Sequence, residues 1–182
     1  CSIVLIISTL IIGKQLTYIR NADLGFAKES VFTFSAFNFS KNYEAIRDEL
    51  QRQPGVLGVT TASQSVMNLM SSTGDFNWDG KPANMNNFII NQLSVDRNFP
   101  EVMDMKLVDG KGFTGTAADS AHFIINETAL KQTGLQNPIG KTVTFHDQPG
   151  TIVGVVKDFH FKDMKTRIEP CILFINPYWG WN

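Results

Sequence analysis

The chain has 182 residues, with 16 Lys plus Arg against 17 Asp plus Glu and a net charge of −1 at pH 7. That length suffices to bury a core in one domain or two small subdomains, and a near-neutral balance with no basic block or stripe excludes a nucleic-acid surface built on charge. The two cysteines, Cys1 and Cys171, lie in separate apolar segments, so neither a disulfide framework nor a metal-type cysteine spacing exists.

Residues 2–12 form an uncharged run of Ile, Leu, Val, Ser and Thr. At a helical rise of about 1.5 Å per residue it covers about half of a ~30 Å hydrocarbon core. It reads as the end of a membrane-spanning helix whose other half lies upstream. Lys14, Tyr18 and Arg20 follow Gly13, where a helix leaves the bilayer and long side chains reach headgroups. A signal-peptide core lacks its two marks here, a basic stretch before the run and an A-x-A pattern after it. A buried strand or an all-round apolar core helix is the alternative for a protein away from the membrane.

Asn21, Ala22, Asp23, Leu24, Gly25 and Phe26 break this helix, with Gly25 free to turn left-handed. Residues 31–37 alternate aromatic and polar, which suits a strand. Residues 42–53 place Tyr43, Ile46 and Leu50 at helical spacing behind a cap at Ser40 or Asn42, until Pro54 and Gly55 end the helix. Residues 56–63 read as a second strand, completing a strand-helix-strand unit.

Residues 64–74 show little periodicity and read as a surface loop or linker. Residues 76–78 and 88–95 flank the turn signal Asp79, Gly80, Lys81, Pro82 and are expected to form a hairpin. A short helix capped by Asn98, with Pro100 in its first turn, is expected to run to about Met105. Residues 122–125 are a strand, followed by a helix with Asn126 as cap and Gly134 as stop. Residues 142–145 and 151–156 pair as a second hairpin about His146, Asp147, Gln148, Pro149 and Gly150. Residues 171–175 are the last strand, behind Glu169 and Pro170. The class is α+β.

Several segments carry a family resemblance when taken in order. Residues 15–26 resemble the stretch that leads from the first transmembrane helix into the periplasmic core domain of MacB-like and FtsX-like ABC transporter permeases. Asn126-Glu127-Thr128-Ala129, Asn137-Pro138-Ile139-Gly140-Lys141, residues 153–161, and Ile168-Glu169-Pro170 resemble that family's recurring segments.

The resemblance implies a membrane-near αβ, porter-like subdomain, residues 21–63 and 164–182, incomplete at its C-terminal end. A mostly β subdomain, residues 64–163, is inserted into it, and the end of a transmembrane or stalk helix, residues 1–20, precedes both. It implies a periplasmic position on the cell inner membrane. The implied partners are a second permease subunit, in a homo- or heterodimer, a separate cytoplasmic ATPase subunit, and a periplasmic adaptor. No cofactor is implied. Lys14, Tyr18, Arg20, Asp23 and Gly25 are then the stalk and transmission residues.

The residues also have readings independent of the family. Asn126 is a structural N-cap, and the turn at residues 137–141 feeds a strand. Asp158 and His160 would share a face if they lay on a strand, as a metal or acid–base pair. A zinc site needs three protein ligands, however, and His122 and His146 lie in other elements without ligand spacing. No G-x-S-x-G elbow, cysteine–histidine pair or phosphate loop is present. Met67, Met70 and Trp78, with Phe76, are candidates for a soft apolar surface for a partner or cargo, against the plainer reading that most of them fill a core.

The expected function is therefore non-catalytic. It is that of the extracytoplasmic domain of an ABC-type permease subunit, coupling cytoplasmic ATP hydrolysis to export or to periplasmic work by mechanical transmission. The rival reading is a ligand-binding extracytoplasmic sensor domain, and a third is an envelope enzyme.

Overall fold

The computed structural model describes residues 2–27, 30–35, 42–162 and 164–176. Helix α1, Ser2–Asn21, is followed by helix α2, Tyr43–Gln51, and then by the short strands β1, Ser72–Thr73, and β2, Phe76–Trp78. Strand β3, Ile90–Ser94, leads into the single-turn helix α3, Phe99–Val102, and strand β4, Leu107–Gly110. Strand β5, His122–Asn126, runs directly into helix α4, Glu127–Thr133. Strands β6, Thr142–Phe145, β7, Gln148–Val156, and β8, Cys171–Phe174, are the last of the described elements.

All eight strands belong to one mixed sheet of order β1-β3-β8-β5-β7-β6-β2, with β4 paired to β7. The β3–β8 and β5–β7 pairs are parallel and the others antiparallel. β1 and β2 end the path, yet only Gly74 and Asp75 separate them in sequence, so the sheet curls back on itself. His146 at the tip of β6 closes the curl. Its N–H donates to the Asp75 carbonyl at 3.0 Å, and its Nε2 lies 2.6 Å from Gln92 Oε1 on β3.

The two-residue period of a strand sorts side chains between two cores, with one irregularity where the β5–β7 register shifts and the alternation in β7 slips by a residue. Ile90, Phe123, Ile125, Ile152, Ile172 and Phe174 face the inside of the curl with Ala129 of α4. Leu93, Ile124, Val153, Val156, Cys171 and Leu173 face the other way, under Phe99 and Met103. Each fully buried Leu, Ile or Phe contributes about 1.5–3 kcal/mol of transfer free energy.

The mixed α and β class holds. Helix α4 is capped as its sequence predicts, with Asn126 Oδ1 accepting from the Ala129 N–H and Gly134 at φ +69°. The β6–β7 hairpin also forms, but in register Phe145 to Gln148, so that residues 148–150, expected in the turn, already belong to β7. His146 and Asp147 both take the positive φ that a tight two-residue hairpin turn demands.

Other expectations are corrected. Residues 31–35 form no strand, and Phe32 and Phe34 are exposed. Ala36, Phe37 and the cap candidate Ser40 lie outside the described residues, as do Cys1 and residues 177–182. Residues 56–63 make only an isolated bridge, Ala62 to Val95, so the strand-helix-strand unit lacks its strands among the described residues. A strand exists only through its partner, and alternation alone does not supply one.

Likewise β2 pairs with β6 rather than β3, while Trp78 and Phe88 meet edge to face at 5.3 Å inside the curl. Neither Asn42 nor Asn98 caps with its side chain, and α3 stops at Val102. The 64–74 segment is more than a linker, since Val66 and Leu69 are buried. The sequence assigns residues 164–182 to the membrane-near subdomain. Within the sheet, Cys171–Phe174 lies in the middle, between β3 and β5, which leaves that assignment as an expectation. Four consecutive buried residues fit a central strand covered on both faces.

Candidate functional site at the exit of the first helix

Helix α1 is continuous through Gly13, and residues 3–18 are exposed along its whole length. Ile3, Leu5 and Leu10, each more than 60% exposed, do not fold back onto either core. Among the described residues no helix is long and apolar enough to cross a membrane. The helix is nevertheless a rod of about 30 Å, held by i to i+4 bonds, and the question is how its end joins the domain.

The join is made in five residues, 23–27. Asp23 Oδ1 accepts the Gly25 N–H at 2.8 Å, a local turn that stops the helix. Gly25 takes φ +81°, and a β-carbon there would stand 2.5 Å from the Asp158 carbonyl oxygen and 2.8 Å from Phe159 Cα. Only glycine fits both the dihedral and the approach. The Leu24 carbonyl accepts the His160 N–H at 2.8 Å, and the Ala27 N–H donates to the Met103 carbonyl at 2.8 Å. Phe26, between them, is buried with Phe159.

The segment that receives the exit is itself clamped. Asp158 accepts the Thr128 N–H at 2.9 Å and the Thr128 hydroxyl at 2.7 Å, while its own N–H donates to Glu127 Oε2 at 3.0 Å. The first turn of α4 and the end of β7 thus bond reciprocally. A carboxylate is favourable at this place because free N–H groups and the helix dipole point at it. Asn126, fully buried, ties in the next layer. Its Oδ1 also accepts the Cys171 N–H at 2.9 Å, and its Nδ2 donates to the Glu169 carbonyl at 2.9 Å. Lys162 sits 2.5 Å from the Glu169 carboxylate, and that hydrogen bond, with one from Asn91, holds the carboxyl below its usual range.

Of the sequence candidates, Asp23 and Gly25 make the turn itself. Lys14 and Tyr18 are exposed on α1, and Arg20 belongs to its last turn. Asp158 and His160 do not share a strand face. One is a side-chain acceptor for α4 and the other a backbone donor to Leu24. His122 pairs with Asp119 at 2.8 Å, and His146 with Gln92. No group of three or more His, Cys, Asp or Glu among the described residues is placed to hold a metal.

Met67 and Met70 are exposed, but Trp78 is buried beside Phe76 and Phe88 under the Lys81 ammonium, so the three do not form one surface. Glu127 and Thr128 were legible only as helix-start residues, and nothing local showed that they would meet residues 158–160. The one signal was that both stretches belong to the segments resembling the family.

A long exposed helix whose exit is bonded into a mixed, curled sheet defines a class, the helix-borne α+β domain. The MacB-like periplasmic core domain model matches residues 2–172, and the chain belongs to that family. It is thus a periplasmic domain of the ABC transporter permease type, not a member of a catalytic family, and extracytoplasmic.

Among solved structures the chain is similar to the extracellular domain of the noncanonic ABC-type transporter YknZ from Gram-positive bacteria. The TM-score is 0.50 at 17% identity, over 81% of this chain and 64% of that one. It is also similar to the periplasmic region of MacB from Actinobacillus actinomycetemcomitans, with TM-score 0.49, 21% identity, and coverage of 72% and 54%. A domain of a putative permease protein from Porphyromonas gingivalis gives TM-score 0.48, 18% identity, and coverage of 71% and 55%. At 17% identity the likeness to the YknZ domain is one of fold alone, and the chain spans just over half to nearly two thirds of each of those structures. No curated protein matches the sequence.

Proposed function

We propose that this domain is the extracytoplasmic working part of an ABC-type permease subunit, moved by α1. Cytoplasmic ATP binding on a separate subunit draws two permease subunits together at the inner membrane, and α1 carries that displacement to the domain for export or for other periplasmic work. The supporting observation is the junction. A stiff rod transmits force only if its end is fixed, and the α1 exit is held by backbone bonds from Leu24 to His160 and from Ala27 to Met103, with Gly25 against Asp158. Lys14, Tyr18 and Arg20 lie on the membrane side of that exit, where cations and Tyr meet headgroups. A periplasmic adaptor is a further partner of the same reading.

Inserting flexible glycines between Tyr18 and Asp23, in the full-length permease with its ATPase, tests this reading. Each glycine weakens the helix by about 1 kcal/mol relative to Ala and lets the rod bend. ATP hydrolysis should continue while transport or other periplasmic output falls. Output at the normal rate would refute the lever.

A further inference from the structure

Asp96 lies two residues past the end of β3, and its half-buried carboxylate gathers donors from three parts of the chain. The Tyr43 hydroxyl at the start of α2 donates to Oδ2 at 2.5 Å. The Thr60 hydroxyl donates to Oδ1, and the Asn98 N–H donates to Oδ1 at 3.1 Å. The Asp96 backbone takes part as well. Its N–H donates to the Thr61 carbonyl at 3.1 Å, and its carbonyl accepts the Phe99 N–H at 3.3 Å, at the first turn of α3.

The plain reading of Asp96 is a turn stabiliser, and the Asn98 N–H fits it. That reading leaves two donors over. Tyr43 and Thr60 stand 53 and 36 positions away, and both are brought to a carboxylate whose burial pushes its pKa up despite their hydrogen bonds. A turn can be stabilised at the surface without that penalty.

What Asp96 joins is informative. Helix α2 buries none of its own residues, so its placement leans on polar contacts such as this one. On the other side, α3 is a single turn away from the helix exit. The Met103 N–H donates to the Phe99 carbonyl at 3.0 Å, and the Met103 carbonyl accepts the Ala27 N–H at 2.8 Å. Phe99 and Met103 are both buried, so this turn is packed into the core beside the helix exit. Gly58 sits against Val102, where a β-carbon would come within 2.8 Å of Val102 Cγ2, so the segment carrying Thr60 rests on the same turn.

We propose that Asp96 is a positioning residue that couples the placement of α2, through α3, to the exit of α1. The proposal deepens the lever reading and rests on it for its functional meaning. A shift of residues 24–27 is passed to Met103 by one backbone bond, to Asp96 by α3, and to α2 by the Tyr43 hydroxyl. Coupling of this kind is established only by perturbing one end and reading the other.

Hydrogen–deuterium exchange on the full-length permease with its ATPase, comparing wild type with Tyr43→Phe and Asp96→Asn, provides that measurement. Both variants should speed exchange in residues 43–51, and also at residues 24–27, by about threefold to tenfold, the loss expected for one hydrogen bond. Faster exchange in residues 43–51 with residues 24–27 unchanged would make Asp96 a local brace and overturn the proposal. If Asp96→Asn fails to fold, Tyr43→Phe, which removes a single hydroxyl, decides alone. The outcome is separable from that of the glycine insertion. Remote exchange changes with output unaffected by the insertion would refute the lever but keep the coupling.

Discussion

His160 donates its backbone N–H to the carbonyl of Leu24 at 2.8 Å, joining two residues 136 positions apart at the point where α1 gives way to the domain. The bond is backbone to backbone, so no side chain at either position specifies it. Its stability depends on the neighbours that place the two strands of chain side by side.

Gly25 is the most sensitive of those neighbours. An L-residue in the left-handed region costs about 1–2 kcal/mol, and the β-carbon of Gly25→Ala would also press on the Asp158 carbonyl at 2.5 Å. Urea unfolding should show a loss of at least about 2 kcal/mol. Gly80, also at positive φ but with open space around it, should tolerate Ala with a smaller loss.

Asn126→Ala removes an acceptor used by two buried N–H groups and a donor to the Glu169 carbonyl. The expected cost is about 2–4 kcal/mol, a lost cap plus unsatisfied buried groups. Asn126→Asp keeps the acceptor and loses the donor. It should cost less than Ala in thermal unfolding at neutral pH if the cap dominates.

Thr128→Val isolates one arm of the clamp on Asp158. Losing the 2.7 Å hydroxyl bond to a carboxylate should cost about 1–3 kcal/mol. Asp158→Asn should fold and leave the response to chelators unchanged, because both oxygens of the Asp158 carboxylate accept from Thr128 at the start of α4. A chelator-dependent Tm, abolished by Asp158→Asn, would restore the metal reading.

Acid should act in two directions. Burial pushes Asp119 up, but bonds from His122, Thr114 and Gly115 outweigh it and hold its pKa below 3.8; Lys162 and Asn91 hold Glu169 below 4.5. Groups with lowered folded pKa values add stability above their unfolded values and lose it as pH falls through the folded ones. Asp96, raised above 3.8, has the opposite sign, its folded state gaining relative to the unfolded as pH falls through the raised value. Asp119→Asn should therefore be less stable than wild type at neutral pH, with the gap closing as acid protonates the Asp119 carboxylate in the folded state. A gap that persists in acid would show that the loss is steric and not ionic.

The features legible in the sequence were those closed within a few residues. The α1 break at Asp23 and Gly25, the Asn126 cap, the Gly134 stop and the β6–β7 turn each satisfy backbone groups that the same short stretch leaves open. The resemblance in residues 15–26 and 153–161 reached further, to the family, because several short segments recur in order.

Strand partners were not legible. Residues 31–35 and 76–78 have the same aromatic, alternating character, yet among the described residues only the second finds a partner, and that partner is β6, more than sixty positions away. Nothing within either segment distinguishes them, since a strand's hydrogen bonds are made to another piece of chain. β8 is the sharpest case. Its run of apolar residues marks a buried strand, but its seat between β3 and β5 depends on Asn126 capturing the Cys171 N–H and on two cores closing over it.

By itself, then, the sequence determined the helix that enters this domain, where it stops, and the family to which the chain belongs, because local hydrogen bonding and short recurring segments carry that information. The tertiary structure alone decided what the helix exit is fixed to. Residues 24–27 meet residues 103 and 158–160 through main-chain groups that every sequence possesses, and only the packing of the curled sheet brings those groups together.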